Sequence, residues 1–238
     1  MSNTTLKIIA CVSMLIDHIG MIFFPDEFVF RCIGRIAMPI FAFFIGQGCR
    51  YTKNRLKYFL QIFLLGVFCQ AVDTAYELAT GTFKNLYCNI LITFSLSIVI
   101  CFAFIDLDKA IQSQDKKQII KTATWFAITI LGAYCIIRFT DNVIGIPFSV
   151  DYGLRGVLLP LCACVFTKKP QQLILFGLAL VLQMIVLHKN VYFILFSAIS
   201  LIFLWFYNGS YGNKKLKYFF YIFYPTHLAA LHLLSIII

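Results

Sequence analysis

Asp17 and His18 stand side by side within an apolar run that extends from Leu6 to Phe24. An imidazole oriented by a carboxylate is a general-base arrangement: the ring removes a proton from an acceptor and the carboxylate holds it in place. Ionisable groups within so greasy a stretch are costly enough to mark function by default. A second imidazole, His227, lies near the far end of the sequence, three residues after Tyr224 and just past Pro225. Arg31 and Arg35 are four apart, share a helical face and flank Gly34, which lets a neighbouring helix come close. A guanidinium there can hold a substrate carboxylate or stabilise a developing oxyanion. Asp151 and Arg155 repeat the four-residue spacing, and Asn89, Thr93 and Ser97 form one polar stripe.

Each of these has a plainer reading. Asp17 can pin its helix by pairing with an arginine, and Arg35 can be the salt-bridge partner of Asp17 or Asp73. Asp151 and Arg155 can neutralise each other. Asn89, Gln70 and Asp73 can be the polar glue between apolar helices. His188 and His232 read as bystanders.

The elements that must position these residues follow from composition. The 238 residues are 61% hydrophobic and 13% charged, which excludes an ordinary soluble domain. Nine apolar runs, about 6–24, 30–48, 56–75, 88–105, 120–138, 152–167, 171–187, 191–207 and 218–237, approach the roughly 20 residues that cross a hydrocarbon core. The expected fold is therefore all-α: one polytopic helical bundle of about nine transmembrane helices, residues 1–238 forming a single domain. The first run reads as a retained helix, since no small-residue cleavage site follows it. Pro39 is expected to kink the second helix. The segment Asp106–Lys121 is expected to be the longest polar connection, a cytoplasmic loop or short surface helix. Phe148-Ser-Val-Asp-Tyr-Gly is expected on the outer side, leading into a short helix interrupted by Gly153, Gly156 and Pro160.

The formal charge of +10 reports topology and attraction to anionic lipid heads rather than a nucleic-acid partner. With nine spans, fourteen of the twenty basic residues fall on one side. The other side, with its intramembrane margins, holds Arg31, Arg35, Lys84, Arg138, Arg155 and Lys189. That bias places the amino terminus in the cytoplasm and the carboxyl terminus outside. At 1.5 Å per helical residue, His18 lies about 16 Å above Lys7 and His227 about 15 Å above Lys217. Two histidines from opposite ends of the sequence thus share one depth, near the midplane. Arg35, Asp73, Arg155 and Asp151 fall at about 20–26 Å, as the lining of an outer vestibule. The nine cysteines show no pairing or metal-ligand spacing and read as small apolar residues; no metal is expected.

Four segments carry a resemblance: Leu6-Lys-Ile-Ile-Ala…Met14-Leu-Ile-Asp-His-Ile-Gly20, Ile33-Gly-Arg-Ile-Ala-Met-Pro-Ile-Phe-Ala-Phe43, Asp151-Tyr-Gly…Gly156-Val, and Phe223-Tyr-Pro-Thr-His-Leu228. In this order, and spanning the whole chain, they resemble the TraX family of bacterial inner-membrane proteins, named for the protein that acetylates the amino terminus of F-pilin. More distantly the chain is similar to polytopic acyltransferases that modify sugars with cytoplasmic acetyl-CoA and an intramembrane histidine. The resemblance implies a multi-pass protein of the bacterial cytoplasmic membrane. It implies an acetyltransferase that takes acetyl-CoA from the cytoplasmic side and an amine or hydroxyl acceptor (a protein or peptide amino terminus, or a sugar) from the outer side. His18, Asp17, His227 and Arg35 are then the catalytic candidates. Arg31, Arg35, Asn89 and Tyr224 are candidates for holding the donor, and Asp151, Tyr152, Arg155 and Asp73 for the acceptor. The rival classes are a proton-coupled secondary transporter, which the same buried charges would serve, and a non-catalytic membrane assembly protein. No internal repeat of the transporter kind is visible.

Overall fold

The computed structural model of the protein describes residues 1–144, 147–188 and 190–237; Lys189, counted above among the outer basic residues, lies outside them. The helices are α1 (Asn3–Phe23), α2 (Phe28–Gly34), α3 (Ala37–Tyr51), α4 (Arg55–Ala79), α5 (Ile90–Ser113), α6 (Lys116–Ile144), α7 (Gly153–Val165), α8 (Lys169–His188), α9 (Val191–Trp205) and α10 (Lys217–Ile237). Seven helical stretches among the described residues are long and apolar enough to cross a membrane: α1, α2 with α3, α4, α5, α6, α8 and α10. Helices α7 and α9 are apolar but shorter, at 13 and 15 residues. The protein is a multi-pass membrane protein built almost entirely of helix, and the nine apolar runs fall largely on helix.

Short polar side chains start these helices by accepting hydrogen bonds from amides that have no helical partner. Ser2 accepts from Thr5 N–H, Asn54 from Lys57, Asn89 from Leu91 and Ile92, Asp115 from Lys117, and Asn190 from Tyr192. Asp115 explains one departure from expectation. Asp106–Lys121 is not a loop: α5 continues to Ser113, a left-handed Gln114 ends it, and the Asp115 cap starts α6 at once. Two acidic residues of this stretch are held by arginines. Asp106 takes a bidentate pair from Arg55 at 2.7 and 2.8 Å, and Asp108 pairs with Arg50 at 3.3 Å.

Two further expectations are corrected. The second apolar run is not one helix kinked at Pro39; it breaks earlier, at Arg35–Ile36, and Pro39 sits in the first turn of α3. A first-turn N–H has no helical acceptor, so a proline there costs nothing. The all-α reading also missed a three-residue parallel ladder, Leu86–Cys88 (β1) with Phe148–Val150 (β2), in register Tyr87↔Ser149. It is too short to show as a pattern.

The chain forms two compact units, Met1–Ala42 with Leu173–Ile238, and Phe43–Gln172. In the first, the start of α1 is bonded to the segment that precedes α10. Asn3 N–H donates to the Ser210 carbonyl at 2.9 Å, and the Thr4 hydroxyl donates to that of Tyr211 at 2.9 Å. Helices α1 and α10 therefore begin at one level and run in one direction. In the second unit, Arg50 donates to the carbonyls of Cys164 and Val165 at the end of α7, groups that the helix itself cannot satisfy. Gly46 lets α3 approach that helix so closely that a methyl would overlap the Pro160 carbonyl.

Candidate active site

The parallel course of α1 and α10 brings His18 and His227 together. Nδ1 of His18 lies 2.8 Å from Nε2 of His227. The rings are parallel within 2° and their centroids are 5.0 Å apart. Atoms of rings stacked face to face stay about 3.5 Å apart or more, so a 2.8 Å contact between parallel rings means that they lie edge to edge in one plane. That is the geometry of an N–H···N hydrogen bond.

The protons of this pair can be placed by elimination. Nδ1 of His227 is 2.7 Å from the Phe223 carbonyl, which only accepts, so Nδ1 carries the proton. Nε2 of the neutral His227 ring is then an acceptor, and Nδ1–H of His18 donates to it. Nε2 of His18 is left bare, half-buried, with no hydrogen-bond partner among the described residues. A bare imidazole nitrogen fixed by a bond at the other nitrogen is a general base or a nucleophile.

Asp17 does not orient His18, contrary to expectation. Consecutive helical residues point about 100° apart, and Asp17 faces α2. Its Oδ2 is 2.9 Å from Nη1 of Arg31, and its Oδ1 is 3.9 Å from Nη2 of Arg35. Arg35 is buried, with its guanidinium 4.9 Å from the Phe193 ring centroid and Nε donating to the Arg31 carbonyl at 3.3 Å. Two guanidiniums thus share the Asp17 carboxylate. Gly34 makes the contact possible, because a methyl there would overlap the Asp17 carboxylate. Gly34→Ala is expected to lower stability by about 1–3 kcal/mol, the usual range for overpacking. Thermal unfolding in detergent checks this; an unchanged midpoint would mean that α1 and α2 can separate freely.

Tyr224 packs its edge against His227, at 5.6 Å and 78°. Phe223 and Phe193 were not anticipated. Phe223 supplies both the acceptor carbonyl and a ring lying 4.8 Å from His227 at 16°. Its position four residues before His227 was the available signal.

The remaining candidates belong to the second unit. Asp151 accepts from the Tyr87 hydroxyl, and its backbone is held by Cys88 and Thr93. It does not pair with Arg155, which is exposed and makes no ion pair among the described residues. The four-residue rule fails because Asp151 precedes the helix. Tyr152 and Gly153 both take positive φ, 59° and 55°, in the tight turn from β2 into α7. Asn89 is a buried cap whose amide donates to the Gly66 carbonyl and whose oxygen holds Leu91 and Ile92. That geometry is structural and leaves it little to offer a donor. Asp73 is half-buried on α4. Among the described residues no three His, Cys, Asp or Glu side chains are grouped to hold a metal, and all nine cysteines are free thiols.

The family described as TraX protein matches residues 2–235. The chain is 24% identical to a protein of Dichelobacter nodosus described as probable fimbrial assembly protein FimC, serogroup H1, over 95% of this chain and 92% of that one. It is 42% identical to uncharacterized protein RP591 of Rickettsia prowazekii (strain Madrid E) over 69 residues, 29% of this chain and 26% of that one. No solved structure matches.

Proposed function

This chain belongs to the TraX family, and from that premise we propose that it is a membrane-embedded acyltransferase, moving an acetyl group from acetyl-CoA to an amine or hydroxyl acceptor. The observation that carries the reading is the coplanar His18–His227 bridge, because it holds His18 with Nε2 bare. In this reading His18 takes the acceptor's proton as the acceptor attacks the thioester carbonyl. Arg35, with Arg31, brings the positive charge that an oxyanion or the donor's phosphates would meet. The protein sits in the bacterial inner membrane with nine crossings, its amino terminus cytoplasmic and its carboxyl terminus outside. The basic loops then face the compartment that holds acetyl-CoA. The likeness to the Dichelobacter fimbrial assembly protein favours a fimbrial protein as acceptor.

That same likeness favours a second reading, a non-catalytic assembly protein whose polar residues only join helices. One experiment separates the two. Purified protein in proteoliposomes is given acetyl-labelled coenzyme A together with peptides and sugars as acceptors. Label on an acceptor or on the protein is expected. Donor left intact, with no label moved under any acceptor, would defeat the enzyme reading.

A further inference from the structure

We infer that during transfer the positive charge settles on His227 rather than on His18: the two rings form a directional proton relay, in which His18 exchanges protons with the reactants and His227 stores the charge. This rests on the acyltransferase reading and assigns His227 a task within it. Three observations support it. First, the bridge is short and coplanar, so a proton gained at Nε2 of His18 is matched by the Nδ1 proton crossing to Nε2 of His227. Second, His227 is equipped to be an imidazolium. Its Nδ1–H meets the Phe223 carbonyl at 2.7 Å, and its ring lies 4.8 Å from the face of the Phe223 ring, where the π electrons favour a cation. Third, His18 is badly placed to keep the charge. The carboxylate next to it in sequence is engaged by Arg31 and Arg35, and among the described residues Arg31 and His232 are the other charged or titratable groups near it. A cation at His18 would have like charge nearby and no carboxylate of its own.

The atoms balance. The acceptor's X–H bond breaks as X bonds to the acyl carbon, and the proton goes to Nε2 of His18. The proton on Nδ1 of His18 crosses to His227. As the carbon–sulfur bond breaks, the thiolate takes the Nε2 proton and the bridging proton returns. The result is acylated acceptor, free thiol and the starting pair.

The test is His227→Gln. The glutamine oxygen reaches about where Nε2 stood, so it can accept Nδ1–H of His18 and keep that tautomer, yet it cannot carry a proton. Side-chain ¹⁵N NMR of the histidine-labelled protein in bilayers is expected to show Nδ1–H with a bare Nε2 on His18, in the wild type and in His227→Gln alike. Acidifying the wild type is expected to charge His227 before His18. Transfer by the variant is expected to fall by at least ~100-fold, the low end of what a general acid–base group contributes. A variant within about threefold of wild type would reduce His227 to an orienting role and overturn the relay. So would an Nε2–H tautomer on His18 in the wild type, or a charge that appears first on His18. If the wild type moves no acyl group at all, the functional reading fails, while the order in which the two rings charge still decides the relay.

Discussion

His18→Ala is expected to lose acyl transfer by a factor of about 10²–10⁴, the contribution typical of a positioned general base, while the protein still inserts and folds. The two halves of this statement have different grounds. The loss follows from the bare Nε2, since no other nitrogen of the bridge is free to take a proton: both Nδ1 atoms carry one, and Nε2 of His227 accepts from His18. Intact folding follows from the half-buried position of His18, whose only polar contact among the described residues is with His227. Removing it leaves Nε2 of His227 without a donor, a modest penalty that a water molecule can offset. Labelled acetyl transfer, normalised to protein that elutes as a folded peak, measures the effect. Full activity in this variant would remove His18 from the mechanism.

Asp17→Ala is expected to fail in the opposite way, through stability. Two guanidiniums rely on one carboxylate, and Arg35 is buried against Phe193. Taking away the acidic partner of a buried pair leaves an uncompensated charge, at a cost of about 3 kcal/mol. The lower end of the usual range is apt because Arg31 is a third exposed and can turn toward solvent. The midpoint of thermal unfolding in detergent is therefore expected to fall clearly, with far less change in turnover per folded molecule than in His18→Ala. A normal midpoint with abolished turnover would instead place Asp17 in the chemistry and break the division of labour between the neighbours.

Much of the arrangement is legible in the residues because helical spans are read with a ruler. Counts that differ by one residue, from Lys7 to His18 and from Lys217 to His227, put the two at nearly one depth, and the two rings do meet. What spans cannot reveal is azimuth. The adjacency of Asp17 and His18 suggested partnership, yet on a helix neighbours in sequence diverge, and each finds its partner on a different helix. The same blindness affects Asn89 and Asp151. Both lie beside helix starts, where caps and turns take up polar side chains that a linear reading would offer to a ligand. The Asp106–Lys121 stretch was misread for a related reason. Asp106 and Asp108 there pair with Arg55 and Arg50, partners that lie about fifty residues away.

The imidazole bridge joins positions separated by 209 residues. A ribosome making this chain releases His18 into the bilayer long before His227 exists, and every intermediate along the way has an unassembled base. In the acyltransferase reading, competence thus arrives only with α10, and a polypeptide cut short before that helix is expected to be inert toward thioesters while the earlier helices are still being threaded.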